Sequence, residues 1–597
     1  MIDARLDGDA AASWSSASGQ RQRRGVMTAI TAILPGSASR LRLRRRLPVD
    51  GWQALALGIA ALVLLPVLAL GWTAMQGSGG LWSHLFAHVL PRAALNTALL
   101  LVGVGTLSVA LGVGSAWLVT ACDFPGRRTL SWALLLPLAV PTYIVAYAYL
   151  DLLHPLGPVQ SLLRAVLGFD SPRDFRLPDI RGLAGCIVLL GFVLYPYVYL
   201  TTRAMFVTQA AGFLEAARAL GASRAAMFWR VALPMARPAI VIGLILVLLE
   251  TLNDIGASEF LGVQTLTVSV YTTWITRGDL PGAAQIALAM LALVAALVLL
   301  ERMARRRQRY ASTLRPRPMR PRRLRGAAAA VALVLGWLPV LVGFIAPACH
   351  LALESWQRLA SGHAVSPTLW SSAWNTVRVA AVATALTLAA GLALAWAVRL
   401  GEARRAPRLA RAALRLGSLG YAIPGTVLAI GLLAPLAWFD QFGNLLLESF
   451  GLPPRMLLMG SFWALALAYT LRFLAISAGG IEAGWTRVPL SLDHAARGLG
   501  ASQGGLLRRV HLPLLRPALA AAALLVFVDA MKELPATLLL RPLNFETLAT
   551  WLYADAARGA YEDGALAALC IVLVGLLPVI LLARAGIRHL PEPTIHG

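Results

Sequence analysis

Long apolar runs, separated by short polar segments, fill most of the chain after residue 50. A run of about 18 to 25 residues matches a bilayer hydrocarbon core roughly 30 Å thick. Each run is predicted to be helical, because a lipid-exposed strand would leave backbone polar groups unpaired. Twelve such runs are present, near residues 51–73, 96–121, 130–151, 183–205, 238–257, 282–301, 327–350, 375–398, 413–438, 458–479, 517–536 and 565–584.

The polar segments between these runs differ in their arginine content. The first 50 residues contain nine arginines, and residues 302–326 contain eleven. Segments 203–237, 399–415 and 487–516 are also rich in arginine, whereas the intervening loops mix acidic and basic residues. Since arginine-rich loops stay on the cytoplasmic side of a membrane, the pattern predicts a multi-pass protein with both termini in the cytoplasm.

A second pattern is a repeat at one constant spacing along the chain. Residues 214–240 match residues 493–519 at 14 of 27 positions. Further pairs at the same spacing are Asn96 and Asn375, Thr97 and Thr376, and Trp117 and Trp396. Six helices in each copy give both copies the same sense in the membrane, so they are predicted to be parallel repeats about a pseudo-two-fold axis along the membrane normal. The predicted organisation is a basic cytoplasmic tail at 1–50, a first repeat at 51–301, a basic linker at 302–326 and a second repeat at 327–597.

Composition narrows the choice of partners. The chain is 58% hydrophobic with a mean hydropathy of +0.70, and its net charge of +25 comes almost entirely from arginine. Because a membrane protein collects such charge in its cytoplasmic loops, membrane lipid and not nucleic acid is the expected partner. The four cysteines are far apart, and His84 and His88 lack an evident third ligand nearby. We therefore expect no disulfide framework and no certain metal site.

The best-matched part of the repeat is a polar loop on the predicted cytoplasmic side, within residues 211–238 and 490–517. In the first copy, "GFLEAARAL" contains helix-forming residues and is followed by Gly221, a typical helix end. A second short helix then runs into Leu233-Pro234. The pattern predicts a helix–turn–helix under the membrane, and the alternative is a compact amphipathic connector that binds no partner.

These loops resemble the EAA motif of binding-protein-dependent ABC importer permeases. The motif residues are Glu215, Ala216, Ala217 and Gly221 in the first copy and His494, Ala495, Ala496 and Gly500 in the second. The second copy departs from the family pattern at His494, where a glutamate is expected, although Asp493 is adjacent. The resemblance implies an all-α, type I importer permease fold in which each loop docks on a cytoplasmic ATPase subunit. The departure implies that the two loops grip their subunits unequally.

A wider resemblance covers most of the chain after residue 50. "YPYVYL" at 195–200, "ETLNDIGASEFLGVQTLTVSVYTTW" at 250–274 and "DAMKELPATLLLRPLNFETLATWLY" at 529–553 are similar to fused ferric-iron permeases of the FbpB/SfuB type. This resemblance implies import of Fe(III) across the bacterial inner membrane, delivered by a periplasmic binding protein. Related fused permeases for thiamine or aminoethylphosphonate share the architecture and are the alternative.

The chain carries no sequence signature of an ATPase. A Walker A loop, GxxxxGK[ST], needs a lysine, and the only lysine, Lys532, follows Met531 in an apolar segment. We therefore expect two ATP-binding subunits outside the chain, with ATP and Mg²⁺ bound there and no cofactor bound here. An ion-coupled secondary transporter is the runner-up, but it has no need of two EAA loops. No enzyme motif such as HExxH or GxSxG is present, so the chain is expected to be a permease component and not an enzyme.

A cluster of ionisable residues interrupts two of the apolar runs. Glu250 and Asp254 in the first repeat correspond to Asp529 and Glu533 in the second, and Lys532 replaces an asparagine. Residues four apart share one helix face, and intramembrane charges are costly when they face lipid. The acids are therefore expected to face the interface between the halves. They either line a translocation pathway, where oxygen ligands suit a hard cation, pair with Lys532 to hold the halves together, or are solvated at the periplasmic helix ends.

Overall fold

The computed structural model describes residues 50–306, 321–362, 365–403, 407–559 and 561–587. Almost all of this chain is helical, as the apolar pattern predicts. The basic tail predicted at 1–50, apart from Asp50, and most of the predicted linker lie outside the described residues. The end of the linker forms a two-stranded parallel ladder, in which Cys122–Asp123 (β1) pairs with Arg322–Arg323 (β2).

In the described part of the chain, twelve α-helices lie between residues 51 and 306 and are called the first half. Their bounds are Gly51–Met75 (α1), Leu81–His84 (α2), Leu90–Ala121 (α3), Arg127–Ala133 (α4), Thr142–Leu152 (α5), Pro158–Leu167 (α6), Leu183–Ala219 (α7), Arg224–Ala226 (α8), Leu233–Asn253 (α9), Gly256–Phe260 (α10), Leu266–Ile275 (α11) and Leu280–Arg306 (α12). Wider π-helical turns at Leu85–Val89 and Met227–Ala232 lead into α3 and α9, and a 3₁₀ turn occupies Leu136–Ala139.

A further twelve α-helices are described between residues 327 and 587 and are called the second half. Their bounds are Ala327–Val340 (α13), Ala346–Ala360 (α14), Pro367–Ala403 (α15), Arg408–Gly417 (α16), Gly425–Ser449 (α17), Phe462–Trp485 (α18), Leu490–Gly498 (α19), Gln503–Leu506 (α20), Leu512–Met531 (α21), Pro535–Leu540 (α22), Leu548–Arg558 (α23) and Tyr561–Ile587 (α24). The π-helical turns are Leu341–Ile345 and Leu507–His511, and a 3₁₀ turn occupies Ser418–Ala422.

Eleven stretches of the described chain are long and apolar enough to cross a membrane, and a twelfth is bent. The bent pair consists of Arg127–Ala139 and Thr142–Leu152, which meet at 92°. The apolar run predicted at 130–151 is therefore present, but it is divided into two helices by a sharp bend. The break falls at Pro141, which precedes the first turn of α5 in an extended conformation because proline cannot donate the hydrogen bond that would continue a helix.

The corresponding span of the second half is displaced from its predicted position. We expected it at 413–438, but it begins after Pro424 and continues to Ser449 as α17. The preceding α16 is a separate amphipathic helix with three arginines, Arg408, Arg411 and Arg415. A proline again sets the boundary, so both halves break their chain at equivalent places and only the second continues as one long span.

Matched side-chain contacts confirm the repeat in three dimensions. Thr97 accepts a hydrogen bond from the backbone N–H of Leu266 at 2.9 Å, and Thr376 does the same for Leu548 at 2.8 Å. The adjacent asparagines donate to backbone carbonyls just before these residues, at 3.0 and 3.1 Å. Each Asn-Thr pair thus holds the N-terminal end of α11 or α23, where backbone donors need partners.

The two halves interlock through their outer helices. Helix α1 packs against α16 and α17 of the second half, and α24 packs against the Leu136–Ala139 turn of the first. A Cβ added at Gly431 in α17 would overlap the carbonyl oxygen of Pro66 in α1, and one added at Gly575 in α24 would overlap that of Ala139. Glycine therefore permits direct backbone contact between the halves, as small residues do in membrane bundles.

Candidate functional site

A cavity of about 120 Å³ lies where the two halves meet. It brings together all five residues that the sequence predicted for a pathway, which are Glu250, Asp254, Asp529, Lys532 and Glu533. The remaining wall includes Tyr143, Tyr197, Asn253, Tyr421 and Arg472. A polar site formed by facing elements of both halves is the expected position for a substrate pathway in a repeat protein of the membrane.

The helices that carry these residues end inside the site. Helix α9 ends at Asn253, and Asp254 has an extended backbone. Helix α21 ends at Met531, and Lys532 is its C-terminal cap. The prediction that each half presents two acids on one continuous helix face is therefore wrong, since Asp254 and Glu533 lie in the breaks between helices. Irregular backbone at this depth is tolerated because it lines a polar cavity inside the protein.

Asp254 is held by a complete set of donors. Its Oδ1 accepts from the Thr142 hydroxyl at 2.6 Å, and its Oδ2 accepts from the backbone N–H and the hydroxyl of Ser258 at 2.8 and 3.0 Å. The residue is 7% exposed. Asp254 therefore ties the break after α9 to α5 and α10, which is a structural use of the carboxylate in addition to its place in the cavity wall.

Glu533 has a comparable position in the second half. Its Oε1 accepts from the backbone N–H of Ala536 at 3.0 Å, and its Oε2 lies 3.1 Å from Nε of Arg472. Both side chains are buried, at 5% and 7% exposure. The guanidinium of Arg472 therefore compensates the buried negative charge of Glu533.

Arg472 was not identified from the sequence as a member of this site. The sequence does mark Arg472 as unusual, because it is the single charged residue between Phe462 and Ile481 in an otherwise apolar span. The repeat does not point to Arg472 as a site residue, since the equivalent position in the first copy is Val193. A charge inside a span indicates a partner within the protein, but only the folded chain identifies that partner as Glu533.

The other three charged groups are less enclosed. Lys532 Nζ lies 2.8 Å from Asp529 Oδ1, and these side chains are 29% and 26% exposed. Glu250 accepts a hydrogen bond from the Tyr421 hydroxyl at 3.0 Å. Asn253 accepts one from the backbone N–H of Gly425 at 2.9 Å. The last two bonds join the first half to the second, whereas the Lys532 ion pair stays within one half.

The charges in the cavity wall do not cancel. Four carboxylates, Glu250, Asp254, Asp529 and Glu533, stand against two cations, Arg472 and Lys532, which leaves a formal charge of −2. Three tyrosine side chains add oxygen atoms to the same wall. In a low-dielectric surrounding, an unbalanced negative site attracts cations and repels anions more strongly than it would in water.

The two EAA loops have matched glycines and matched exposed leucines. Gly221 and Gly500 have positive φ angles of 79° and 83°, which an L-residue rarely adopts. The preceding residues, Leu220 and Leu499, are 88% and 89% exposed. A large apolar side chain this open to solvent, at equivalent points of two repeats, is typical of a surface that a partner covers.

The helices of the two loops differ from the prediction in one respect. In the first half, α7 continues without a break from the membrane span to Ala219, so "GFLEAARAL" is not a separate helix. In the second half, α18 ends at Trp485 and α19 begins after Pro489. The position equivalent to Pro489 is Ala210, and the proline therefore explains why only the second loop has its own helix.

The predicted motif residues are partly accessible. His494, Ala495, Gly221 and Gly500 are exposed, and Ala217 and Ala496 are half-buried. The side chains of Glu215 and Ala216 lie outside the described part of the structure.

Asp493 has a different environment from its neighbour His494. It is fully buried and accepts from Nε and Nη2 of Arg399 at 3.0 and 2.8 Å. His511 Nε2 lies 3.2 Å from the same carboxylate, and its Nδ1 accepts from Trp485 Nε1 at 3.0 Å. Asp493 therefore binds the second loop directly to α15 and to His511 before α21, and His511 in turn contacts α18. Asp493 is not available to replace the missing glutamate of the motif at the surface.

Comparison with known proteins identifies the same two repeats. Residues 108–310 and 388–590 each match the family described as binding-protein-dependent transport system inner membrane component. An Fe(3+)-transport system permease protein, FbpB 2, of Haemophilus influenzae is 24% identical over 84% of this chain and 92% of its own length. A probable ABC transporter permease protein of Sinorhizobium fredii, y4fN, is 26% identical over 91% of this chain and 97% of its own length.

Shorter relatives match one half of the chain. The molybdenum transport system permease protein ModB of Escherichia coli K12 is 29% identical over 31% of this chain and 83% of its own length. The shared part is thus the permease repeat itself, which occurs twice here in a single chain.

Proposed function

Because the chain belongs to the family of inner membrane components of binding-protein-dependent transport systems, we propose that it forms the transmembrane pathway of an ATP-driven importer of Fe(III). The single observation that supports this substrate is the cavity between the halves, whose carboxylates exceed its cations by two. The similarity to a relative named as an Fe(3+)-transport permease agrees with this choice.

The chemistry of the wall favours a hard cation. Carboxylate, phenol and amide oxygens surround the cavity, and such ligands suit small, highly charged ions. Molybdate and sulfate are anions, and the relatives named for molybdenum and sulfate transport are therefore less useful guides to this substrate. A site of formal charge −2 would repel both anions.

Docking of partner subunits follows from the two EAA loops. Leu220 and Leu499 protrude on the loops that the arginine pattern assigns to the cytoplasm. We assign to these loops, with Glu215, Ala216 and Ala217 in the first and His494, Ala495 and Ala496 in the second, contact with two ATPase subunits. ATP and Mg²⁺ bind on those subunits, and a periplasmic binding protein delivers the substrate to the opposite face.

The contacts across the cavity indicate what must change during transport. The bonds from Tyr421 to Glu250 and from Gly425 to Asn253 link the halves. When the ATPase subunits move the loops, a largely rigid shift of one half against the other breaks these bonds. Glu250 then becomes free to contact the passing ion, while Asp254 and Glu533 keep their structural partners.

Two other functions remain as alternatives. One is an importer of the same architecture that carries aminoethylphosphonate or thiamine. A putative 2-aminoethylphosphonate permease of Salmonella choleraesuis is 29% identical over 46% of this chain. The other is an ion-coupled secondary transporter. The intramembrane acids are compatible with a secondary transporter. Such a transporter has no ATPase subunits, however, and so has no need of paired loops with exposed leucines.

Uptake in a strain that lacks this gene tests the substrate. Cells complemented with the wild-type chain should accumulate radiolabelled Fe(III), while uptake of thiamine, aminoethylphosphonate, sulfate and molybdate should stay at the level of the deletion strain. If uptake of another substrate were restored and uptake of Fe(III) were not, the assignment of Fe(III) would be overturned. Loss of Fe(III) uptake in the absence of the partner ATPase would separate the importer from the ion-coupled alternative.

A further inference from the structure

Three potential metal ligands meet at a second contact between the halves. Asp151 is near the end of α5, and His350 and Glu354 are one turn apart on α14. Their ligand atoms all lie within 4.8 Å of one another. His350 Nε2 is 2.9 Å from Asp151 Oδ2, and the histidine is 5% exposed.

We propose that Asp151, His350 and Glu354 bind a divalent transition metal ion, with Zn²⁺ as the reference case. One imidazole nitrogen and two carboxylate oxygens are a ligand set that such ions accept. In a tetrahedral site with metal–ligand bonds of about 2.0–2.2 Å, two donors on one ion are roughly 3.4 Å apart. His350 Nε2 and Asp151 Oδ2, at 2.9 Å, are close to this separation. Because all three ligand atoms lie within 4.8 Å of one another, small side-chain rotations would bring them onto one ion.

The backbone fixes two of the three ligands in advance. His350 and Glu354 are four residues apart on one helix, the spacing that also places two metal ligands on one face in HExxH sites. The helix is held against α5 by a hydrogen bond from the Tyr149 hydroxyl to the carbonyl of Val342 at 2.7 Å. That carbonyl belongs to the π-helical turn Leu341–Ile345, a type of distortion that is frequent at functional sites.

The site is separate from the substrate cavity. Helix α5 begins at Thr142, which contacts the cavity residue Asp254, and Asp151 lies nine residues further on. At about 1.5 Å per residue, the two ends of this segment are roughly 14 Å apart. A bound ion would therefore join α5 of the first half to α14 of the second without taking part in the pathway.

Metal binding can be measured on the full-length chain purified in detergent. After removal of metals with a chelator, we expect it to take up one Zn²⁺ per chain by equilibrium dialysis and to gain thermal stability. Co²⁺ should give an absorption spectrum of inner-sphere nitrogen and oxygen ligation. Asp151→Asn and His350→Ala should each weaken Zn²⁺ binding at least tenfold and abolish the thermal shift. Glu354→Gln should weaken it less.

A pair of histidines outside the proposed site provides a matched control. His84 and His88 are also four residues apart, with their rings stacked at 5.0 Å between centroids. The double variant His84→Ala/His88→Ala should retain Zn²⁺ binding and the thermal shift. Undiminished binding by Asp151→Asn and His350→Ala chains, or no binding by the wild type, would show that His350 and Asp151 form only an ion pair. Elution as a monodisperse species would confirm that the variants are folded.

Discussion

Single residues in the cavity wall divide into two groups by their contacts. Asp254 and Glu533 are buried and use their oxygens on neighbouring backbone and side-chain donors. Glu250 accepts from Tyr421, and Asp529 pairs with Lys532. The pairing with Lys532 that the sequence offered as one alternative therefore involves Asp529. We propose that Glu250 lines the pathway, while Asp254 and Glu533 stabilise the breaks between helices.

Replacing a pathway acid should impair transport and leave the protein folded. In Glu250→Gln, the amide keeps a partner for Tyr421 but removes one negative charge, and an electrostatic contact of this kind is worth several kcal/mol at partly buried positions. We expect Fe(III) uptake to fall about tenfold or more, with unchanged amounts of complex by size-exclusion chromatography. Glu448→Gln, at an exposed acid, should keep normal uptake; equal loss in both would contradict a specific role for Glu250.

Replacing a structural acid should have the opposite effect. In Asp254→Asn, the amide oxygen can accept from Ser258 in place of Oδ2, but the N–H₂ then replaces the oxygen that accepts from Thr142. The variant therefore loses charge-assisted hydrogen bonds at a buried position, a change that costs about 1–3 kcal/mol. We expect a lower melting temperature and less complex, measured by thermal unfolding of the purified chain. Full stability combined with lost uptake would instead place Asp254 in the pathway.

At the scale of elements, the two EAA loops are alike in sequence but supported in different ways. The first continues from α7 and the second is a separate helix, α19, joined to the spans through Asp493. The first half has Thr120 and Leu214 where the second has Arg399 and Asp493. In the second half, the buried ion pair between Arg399 and Asp493 thus connects the loop to the spans, where the first half has one continuous helix.

Breaking this ion pair should loosen the second loop. Asp493→Asn leaves the charge of Arg399 buried without a counter-ion, a change that typically costs about 3–5 kcal/mol. We expect faster hydrogen exchange in residues 490–500 and weaker coupling of ATPase activity to transport. His494→Ala should leave the exchange unchanged, because that side chain is exposed.

A double variant tests whether the ion pair between Arg399 and Asp493 is what protects the second loop from hydrogen exchange. Arg399→Thr/Asp493→Leu copies the first half and removes both charges, so it should recover most of the exchange protection that Asp493→Asn loses. Failure of the double variant to recover it would point to Asp493 contacts other than Arg399.

At the scale of the whole molecule, the halves are held together by close backbone packing and a few polar bonds. Helix α1 lies on α17, and Gly431 allows its backbone to approach Pro66. Lipid tails are as apolar as the helix surfaces, so the hydrophobic effect does not favour helix–helix contact over helix–lipid contact. Close packing is therefore a main source of helix association in a membrane. The interface must also permit the shift that transport requires.

A methyl group at this crossing should separate the halves. Gly431→Ala places a Cβ where the Pro66 carbonyl lies, and overpacking of this kind costs about 1–3 kcal/mol. We expect lower thermal stability and reduced uptake. Gly71→Ala, in α1 with open space around it, is the matched control and should behave as the wild type. Equal stability of the two variants would contradict the proposed close contact.

The helical class, the repeat and the composition of the polar site follow from the order of residues alone. The length of each apolar run matches the thickness of the bilayer, and the constant spacing between the two copies links Glu250 with Asp529. The positions of the helix breaks and the pairing of the charges depend on how the helices pack. Arg472 in α18 meets Glu533 beyond the end of α21, and Asp151 meets His350 across the two halves. Such pairs form because helices distant in the chain pack together, and local periodicity contains no information about those contacts.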